Sequence, residues 1–346
     1  MIAPRLIARA ILRVVPAEHA AWAEAMACEI VAARDDRRFA MGCLCAAMGL
    51  RLRTTGGRAM EQVSERPRMT AVSCGVVAAL LGLVYLGRTG APATMLAANA
   101  GAIALGLAGV AVPRRVLLSD ATALFTAFLL LATALLGAAA DGAARWLHLG
   151  VAVQPSLVLL PAAILAHLTR RSALTAGAMV VAALALAWQP DRAMAGALLA
   201  ALLAGGRRSG PVPILAAAAA FAITLLRVDD LPGVEWVDGV LFSAVARGVL
   251  PGLAVIGGTA VLLAPALFAL RDARADTRAF GATWGAVVAA AALGNYPTPL
   301  VGYGGSAILG YLLAAACLPA RPAARAIDPV PAMRDAARDD RLFRLA

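Results

Sequence analysis

From Thr70 onward the chain is a series of apolar runs, roughly 14 to 22 residues each, long enough to cross a ~30 Å hydrocarbon core if some are tilted. Arg pairs, Pro, Gly or acidic clusters separate them. Apolar runs of this length are expected to be membrane-spanning helices. They cover 70–87, 92–112, 120–139, 153–168, 173–188, 193–205, 211–226, 239–268, 279–294 and 303–319. The predicted fold class is all-α, a polytopic membrane protein of about ten transmembrane helices. The 62% hydrophobic and 15% charged content agrees, since soluble domains carry about a quarter charged residues. The eighth run is too long for one straight span, and Pro251 with Gly252 is the expected bend.

Charge placement gives the orientation. All 31 basic residues are Arg, and all but Arg88, Arg145, Arg192, Arg227 and Arg247 fall in the two terminal regions or on alternate connections. Arg-rich connections stay inside, so both termini are expected in the cytoplasm and the chain in the bacterial inner (cytoplasmic) membrane as a multi-pass protein. The formal charge of +11 is therefore read as topology, and no nucleic acid partner is expected. The absence of Lys excludes Schiff-base lysines and Walker-type phosphate loops.

Residues 1–68 hold short helical patterns and no span, and are read as a cytoplasmic or interfacial helical prefix. Residues 69–320 form the membrane domain and 321–346 an Arg-rich cytoplasmic tail. Arg5, Arg9 and Arg13 recur every four residues opposite Leu6, Ile7, Ala10, Ile11 and Val14, which suits a basic helix on an anionic leaflet or one packed on its neighbours. The second pattern, 17–33, places Trp22, Met26 and Glu29 on one face; the third runs from 38 to 52. No small-residue cleavage site follows the N-terminal segment, so the chain is expected to start at Met1. The five cysteines read as small apolar residues, and Cys43-Leu44-Cys45 lacks metal or redox spacing. His19, His148 and His167 are too isolated for a zinc site, and no metal residues are assigned.

Polar residues collect on the connections assigned to the outer face. Between Arg227 and Asp238 stand Asp229, Asp230 and Glu235, an acidic set suited to a general base, a divalent cation or plain solvation. Asp191 follows Gln189-Pro190 at a helix start, where a carboxylate caps free amides. Arg247 lies about eight residues into the eighth run, where a charge must snorkel to the interface or pair, with Asp238 the expected partner.

Three of these loops match one pattern as a set. Asp141-Gly-Ala-Ala-Arg145-Trp146-Leu-His-Leu149-Gly150, followed by Gln154-Pro155-Ser156, resembles the first large outer loop of the SEDS family, the shape, elongation, division and sporulation proteins that polymerise lipid II. Gln189-Pro190-Asp191 is similar to that family's Gln-Pro-Asp turn. Asn295, Pro297, Pro299-Leu300 and Gly302-Tyr303-Gly304-Gly305-Ser306 are similar to its closing motif.

The resemblance implies ten spans, a role in peptidoglycan synthesis, cell division or cell shape, and glycosyltransferase activity on undecaprenyl-linked lipid II. It implies membrane lipids and a single-span transpeptidase or other envelope protein as partners, and no cofactor beyond a divalent cation. Asp229 and Asp230 become the catalytic candidates. Arg145, Trp146, Gln154, Ser156, Asp191, Arg227, Asp238, Tyr303 and Ser306 become the substrate-binding candidates. The departures are specific. Where the family has Glu and then Lys after Gln-Pro-Ser, this chain has Leu157 and Leu160, and the family's long catalytic loop is reduced to 227–238. Replacing both members of an ion pair by apolar residues leaves no stranded charge, so the fold tolerates the exchange while a polar cavity loses a cation and its partner. The alternative reading is a SEDS-derived, noncatalytic lipid-binding, translocating or scaffold protein. A secondary transporter is the third, though no inverted repeat is visible.

Overall fold

The structure is a computed structural model that describes residues 4–33, 38–51, 66–137, 144–148, 150–227, 233–269, 274–294 and 296–320. Asp141, Asp229, Asp230 and Asn295 lie outside the described residues. Helices α1 (Pro4–Val14), α2 (Ala20–Ala32) and α3 (38–51) belong to the prefix. There follow α4 (Pro67–Arg88), α5 (Ala93–Val110), a single turn α6 (Arg114–Leu117), α7 (Asp120–Leu136), α8 (Pro155–Arg170), α9 (Ala173–Trp188) and α10 (Arg192–Gly205). The bundle ends with α11 (Pro211–Leu226), α12 (Val240–Ala246), α13 (Val249–Ala269), α14 (Ala275–Leu293) and α15 (Gly305–Cys317). A two-residue hairpin, β1 (Leu147–His148) with β2 (Ala152–Val153), is the one sheet among the described residues.

Each predicted run contains a helix, and punctuation in the sequence sets where helices start. Pro67, Pro155 and Pro211 open α4, α8 and α11, positions where the missing N–H costs nothing. Ser119, Ser172 and Asp191 cap α7, α9 and α10 through their side chains. The eighth run departs from expectation. It breaks between α12 and α13 at Arg247-Gly248, where Gly248 takes φ +132°, a backbone geometry that glycine adopts most cheaply. Pro251 instead lies in the first turn of α13, where a proline needs no partner for its nitrogen.

Contacts sort the helix ends into two groups. At one end, guanidinium groups donate to the carbonyls that close neighbouring helices: Arg114 Nε to Cys317 O at 2.7 Å, Arg278 Nε to Ala204 O at 3.0 Å, and Arg68 to Val110 O. His167 joins the same end, its ring nitrogens 3.0 Å from Thr175 Oγ1 and 2.9 Å from Ser209 O. A carbonyl only accepts, so Nε2 carries the proton toward Ser209. The opposite end carries the loops described below.

Inside the bundle the side chains are small, with Ala162, Ala163, Ala166, Ala182, Ala197 and Ala315 fully or almost fully buried. Large apolar residues such as Phe128, Leu215, Leu253 and Leu293 face outward, as expected of helices packed by small residues and bathed in lipid. Backbones consequently approach closely. A Cβ at Gly310 on α15 would lie 1.8 Å from Leu157 O on α8, and one at Gly82 on α4 would lie 2.4 Å from Leu300 O.

The prefix has its own apolar cluster of Ile7, Ile11, Val15, Ala23, Ala27, Ile30, Ala40 and Ala47. The α1 stripe is thus spent largely on α2 and α3, although Leu6 and Leu12 remain exposed. On α2 the buried face is Ala23, Ala27 and Ile30; Trp22 and Met26 border it and Glu29 is exposed.

Candidate functional site

The site end is built on a buried polar network joining three loops. Asp191 is fully buried. Its Oδ1 accepts from the Met194 N–H at 3.2 Å, which caps α10, and its Oδ2 accepts from Gln154 Nε2 and Ser156 Oγ, both at 2.9 Å. A carboxylate needs donors, so the Gln154 amide must present its nitrogen here. The same nitrogen lies 3.0 Å from Tyr296 OH and 3.1 Å from Ser156 Oγ, and Gln154 N donates to Ser306 Oγ at 3.0 Å. Residues 154–156, 191, 296 and 306 are thereby locked into one frame. Burial, reinforced by the Asp191 charge and opposed by Arg145 and Gln154, holds the Tyr296 hydroxyl well above the usual tyrosine range, so it stays neutral.

Arg145 is almost fully buried and donates through Nε to Gln189 O at 3.3 Å and through Nη2 to Pro190 O. Those carbonyls immediately precede Asp191, so backbone acceptors anchor the guanidinium against the turn that carries the buried carboxylate. Gln189 points elsewhere, donating to Leu130 O at 2.7 Å.

A second frame holds 233–239 against the closing loop. Tyr303 N donates to Trp236 O at 2.7 Å, Thr298 N to Val237 O at 3.0 Å, and Trp236 Nε1 to Thr89 Oγ1 at 3.1 Å. Asn99 on α5 grips the same loop, its Nδ2 3.0 Å from Gly302 O and its Oδ1 3.2 Å from Gly304 N. Arg247 pairs with Glu235 at 2.7 Å and stacks 5.6 Å from the Trp236 ring centroid. The expected partner, Asp238, instead accepts from Val234 N at 2.8 Å. A bend at 247–248 turns the guanidinium back toward the 235–236 turn.

Between the two frames lies a cavity of about 260 Å³. Arg145, Trp146, Gln154, Asp238, Tyr296, Tyr303 and Ser306 supply its polar wall, and Leu157 part of its apolar wall. Burial pushes the Asp238 carboxyl above the usual aspartate range, against the Val234 hydrogen bond that lowers it. The cavity thus brings together six substrate-binding candidates: Arg145, Trp146, Gln154, Asp238, Tyr303 and Ser306. Ser156 and Asp191 stand behind Gln154, and Arg227 lies apart, donating to Ala187 O and Trp188 O at 2.9 Å and closing the end of α9. Asp229 and Asp230 fall outside the described residues. Among these residues no group of three or more His, Cys, Asp or Glu could hold a metal ion. Tyr296 is the site residue the sequence reading missed; its signal was an aromatic between Asn295 and Pro297 in a chain with four tyrosines.

No family model matches the sequence, and no curated protein matches it significantly. Among solved structures, the chain is similar to the rod shape determining protein RodA of Thermus thermophilus, with 24% identity and a TM-score of 0.53 over 71% of this chain and 93% of that one. A mutant form of the same protein aligns at 24% identity and a TM-score of 0.52, over 71% and 94%. The chain has the RodA fold.

Proposed function

We propose that this chain is a SEDS-like protein of the bacterial cytoplasmic membrane, with both termini cytoplasmic, that works in cell-wall synthesis for division or shape as a lipid II glycosyltransferase. The observation that carries the reading is the pairing of a carboxylate, Asp238, with a buried guanidinium, Arg145, on the walls of one cavity. In that chemistry the carboxylate takes the proton from an acceptor sugar hydroxyl, whose oxygen bonds to the anomeric carbon of the donor. The bond from that carbon to the diphosphate oxygen breaks, and Arg145 steadies the departing charge. A base that titrates closer to neutrality suits the first step, and Asp238 is shifted in that direction. Asp229 and Asp230 are the competing bases, and a divalent cation at the diphosphate is the only cofactor in this reading. A single-span transpeptidase or other envelope protein is the proposed partner.

The second reading, a noncatalytic relative that binds lipid headgroups or scaffolds envelope proteins, is favoured by Leu157 and Leu160, both buried where the resembled family has an ion pair. Incubation of the purified protein with labelled lipid II and Mg²⁺, followed by separation of glycan polymer, decides between them. Polymer lost in Asp238→Asn but kept in the Asp229→Ala, Asp230→Ala double variant supports the assignment. Polymer that persists in Asp238→Asn removes Asp238 as the base. No polymer from folded protein supplied with envelope partners favours the noncatalytic reading.

A further inference from the structure

Beside the polar network, a larger cavity of about 670 Å³ opens on the flank of the bundle between α10, α11 and α14. Its walls include Gly196, Phe221, Leu225 and Leu293, and Arg145, Arg192 and Tyr296 stand at one end. Leu203 and Leu225 are each 58% exposed and Leu293 89%, so the mouth presents leucines that are stable against hydrocarbon and costly against water. Along α10 from Arg192 to Leu203 the groove runs about 16 Å at 1.5 Å per residue, close to half of a ~30 Å hydrocarbon core. Cations at one end, an apolar floor and the length of one leaflet describe a seat for a single acyl chain beneath an anionic headgroup. Among the described residues no carboxylate lines the groove, whereas two guanidinium groups do, and guanidinium matches phosphate with paired hydrogen bonds.

We propose that this groove holds an acyl chain of an anionic glycerophospholipid from the surrounding bilayer, with its phosphate against Arg192 and Arg145. Arg145 and Tyr296 also line the 260 Å³ cavity, so the lipid phosphate and any ligand of that cavity share a wall. The test does not involve glycan synthesis, so its failure is separate from failure of the functional reading.

The full chain is purified from membranes, exchanged into detergent with equimolar phosphatidylglycerol and phosphatidylcholine, and its retained lipid is counted by native mass spectrometry. Phosphatidylglycerol is expected to be enriched about tenfold, the ratio set by ~1.4 kcal/mol of charge-assisted hydrogen bonding. Arg192→Gln should bring the ratio close to one. Gly196→Leu should remove both lipids, because its added side chain, whose Cβ meets Phe221 at 3.1 Å, projects into the groove while the change favours the helix. Arg207→Gln, at the opposite end, should leave the enrichment intact. Equal retention of the two lipids, or enrichment unchanged in both groove variants, overturns the proposal. So does displacement of phosphatidylglycerol by equimolar polyprenyl phosphate, which would assign the groove to a different lipid.

Discussion

Asp191 and Asp238 are aspartates of the same end of the molecule with opposite surroundings. Asp191 is surrounded by donors and caps a helix, so its charge is spent on structure. Asp191→Ala should cost about 2 to 4 kcal/mol, from the lost cap together with donors left buried without an acceptor, and should appear as a lowered midpoint in thermal unfolding. Asp238 is held half-buried on a cavity wall with its carboxyl raised, so the native state disfavours its ionised form. The sign follows: the stability tied to this group is present below the ordinary aspartate pKa and is lost as pH rises through the raised one. Asp238→Asn keeps an acceptor for Val234 N–H and removes that penalty, so thermal stability at neutral pH should be equal or higher while transfer is lost. A transferring wild type should show an acid limb in its pH–rate profile above the ordinary aspartate pKa, measured from initial polymerisation rates. In the sequence the capping role of Asp191 was legible, because Gln-Pro-Asp stood directly before an apolar run. The gathering of Gln154, Tyr296 and Ser306 around it was not, because hydrogen bonds spanning 142 and 152 residues leave no local trace.

At the scale of helices, the hydropathy pattern located the apolar helices, three of which among the described residues are long and apolar enough to cross a membrane, and terminal prolines, serines and aspartates marked several starts. Close approach was harder to read. Gly310 and Gly257 both sit inside apolar helices, yet a Cβ at Gly310 meets Leu157 O while nothing stands within 4 Å of one at Gly257. Gly310→Ala should force α15 off α8 and cost ~3 kcal/mol or more, whereas Gly257→Ala should be neutral or stabilising by up to ~1 kcal/mol; purified yield and thermal unfolding compare them. The break in the eighth run shows a second limit of periodicity, since proline was the louder signal and glycine the one that mattered. Arg247, placed at that break, holds the 233–239 turn through an exposed pair with Glu235 and a contact with Trp236. Arg247→Met should therefore lower stability by only about 1 kcal/mol, with the protein still folded.

At the scale of the whole molecule, the apolar core in residues 7–47 is separate from the two clusters of the helical bundle. Removing residues 1–65 should leave the unfolding midpoint of the bundle within error of the intact chain, as measured by intrinsic fluorescence or nanodisc calorimetry. The order of contacts along the chain has a consequence for biosynthesis. The prefix can close as soon as α3 leaves the ribosome. The first bundle helix, α4, packs chiefly on α13 and α15, and α15 in turn on α5 and α8. During translation α4 must therefore wait in the membrane beside lipid, or beside the insertion machinery, until α13 and α15 have been made. A transcript cut short before α13 yields a chain whose N-terminal unit is finished and whose membrane unit lacks the partners of its first helix, a product that cellular proteolysis has reason to recognise.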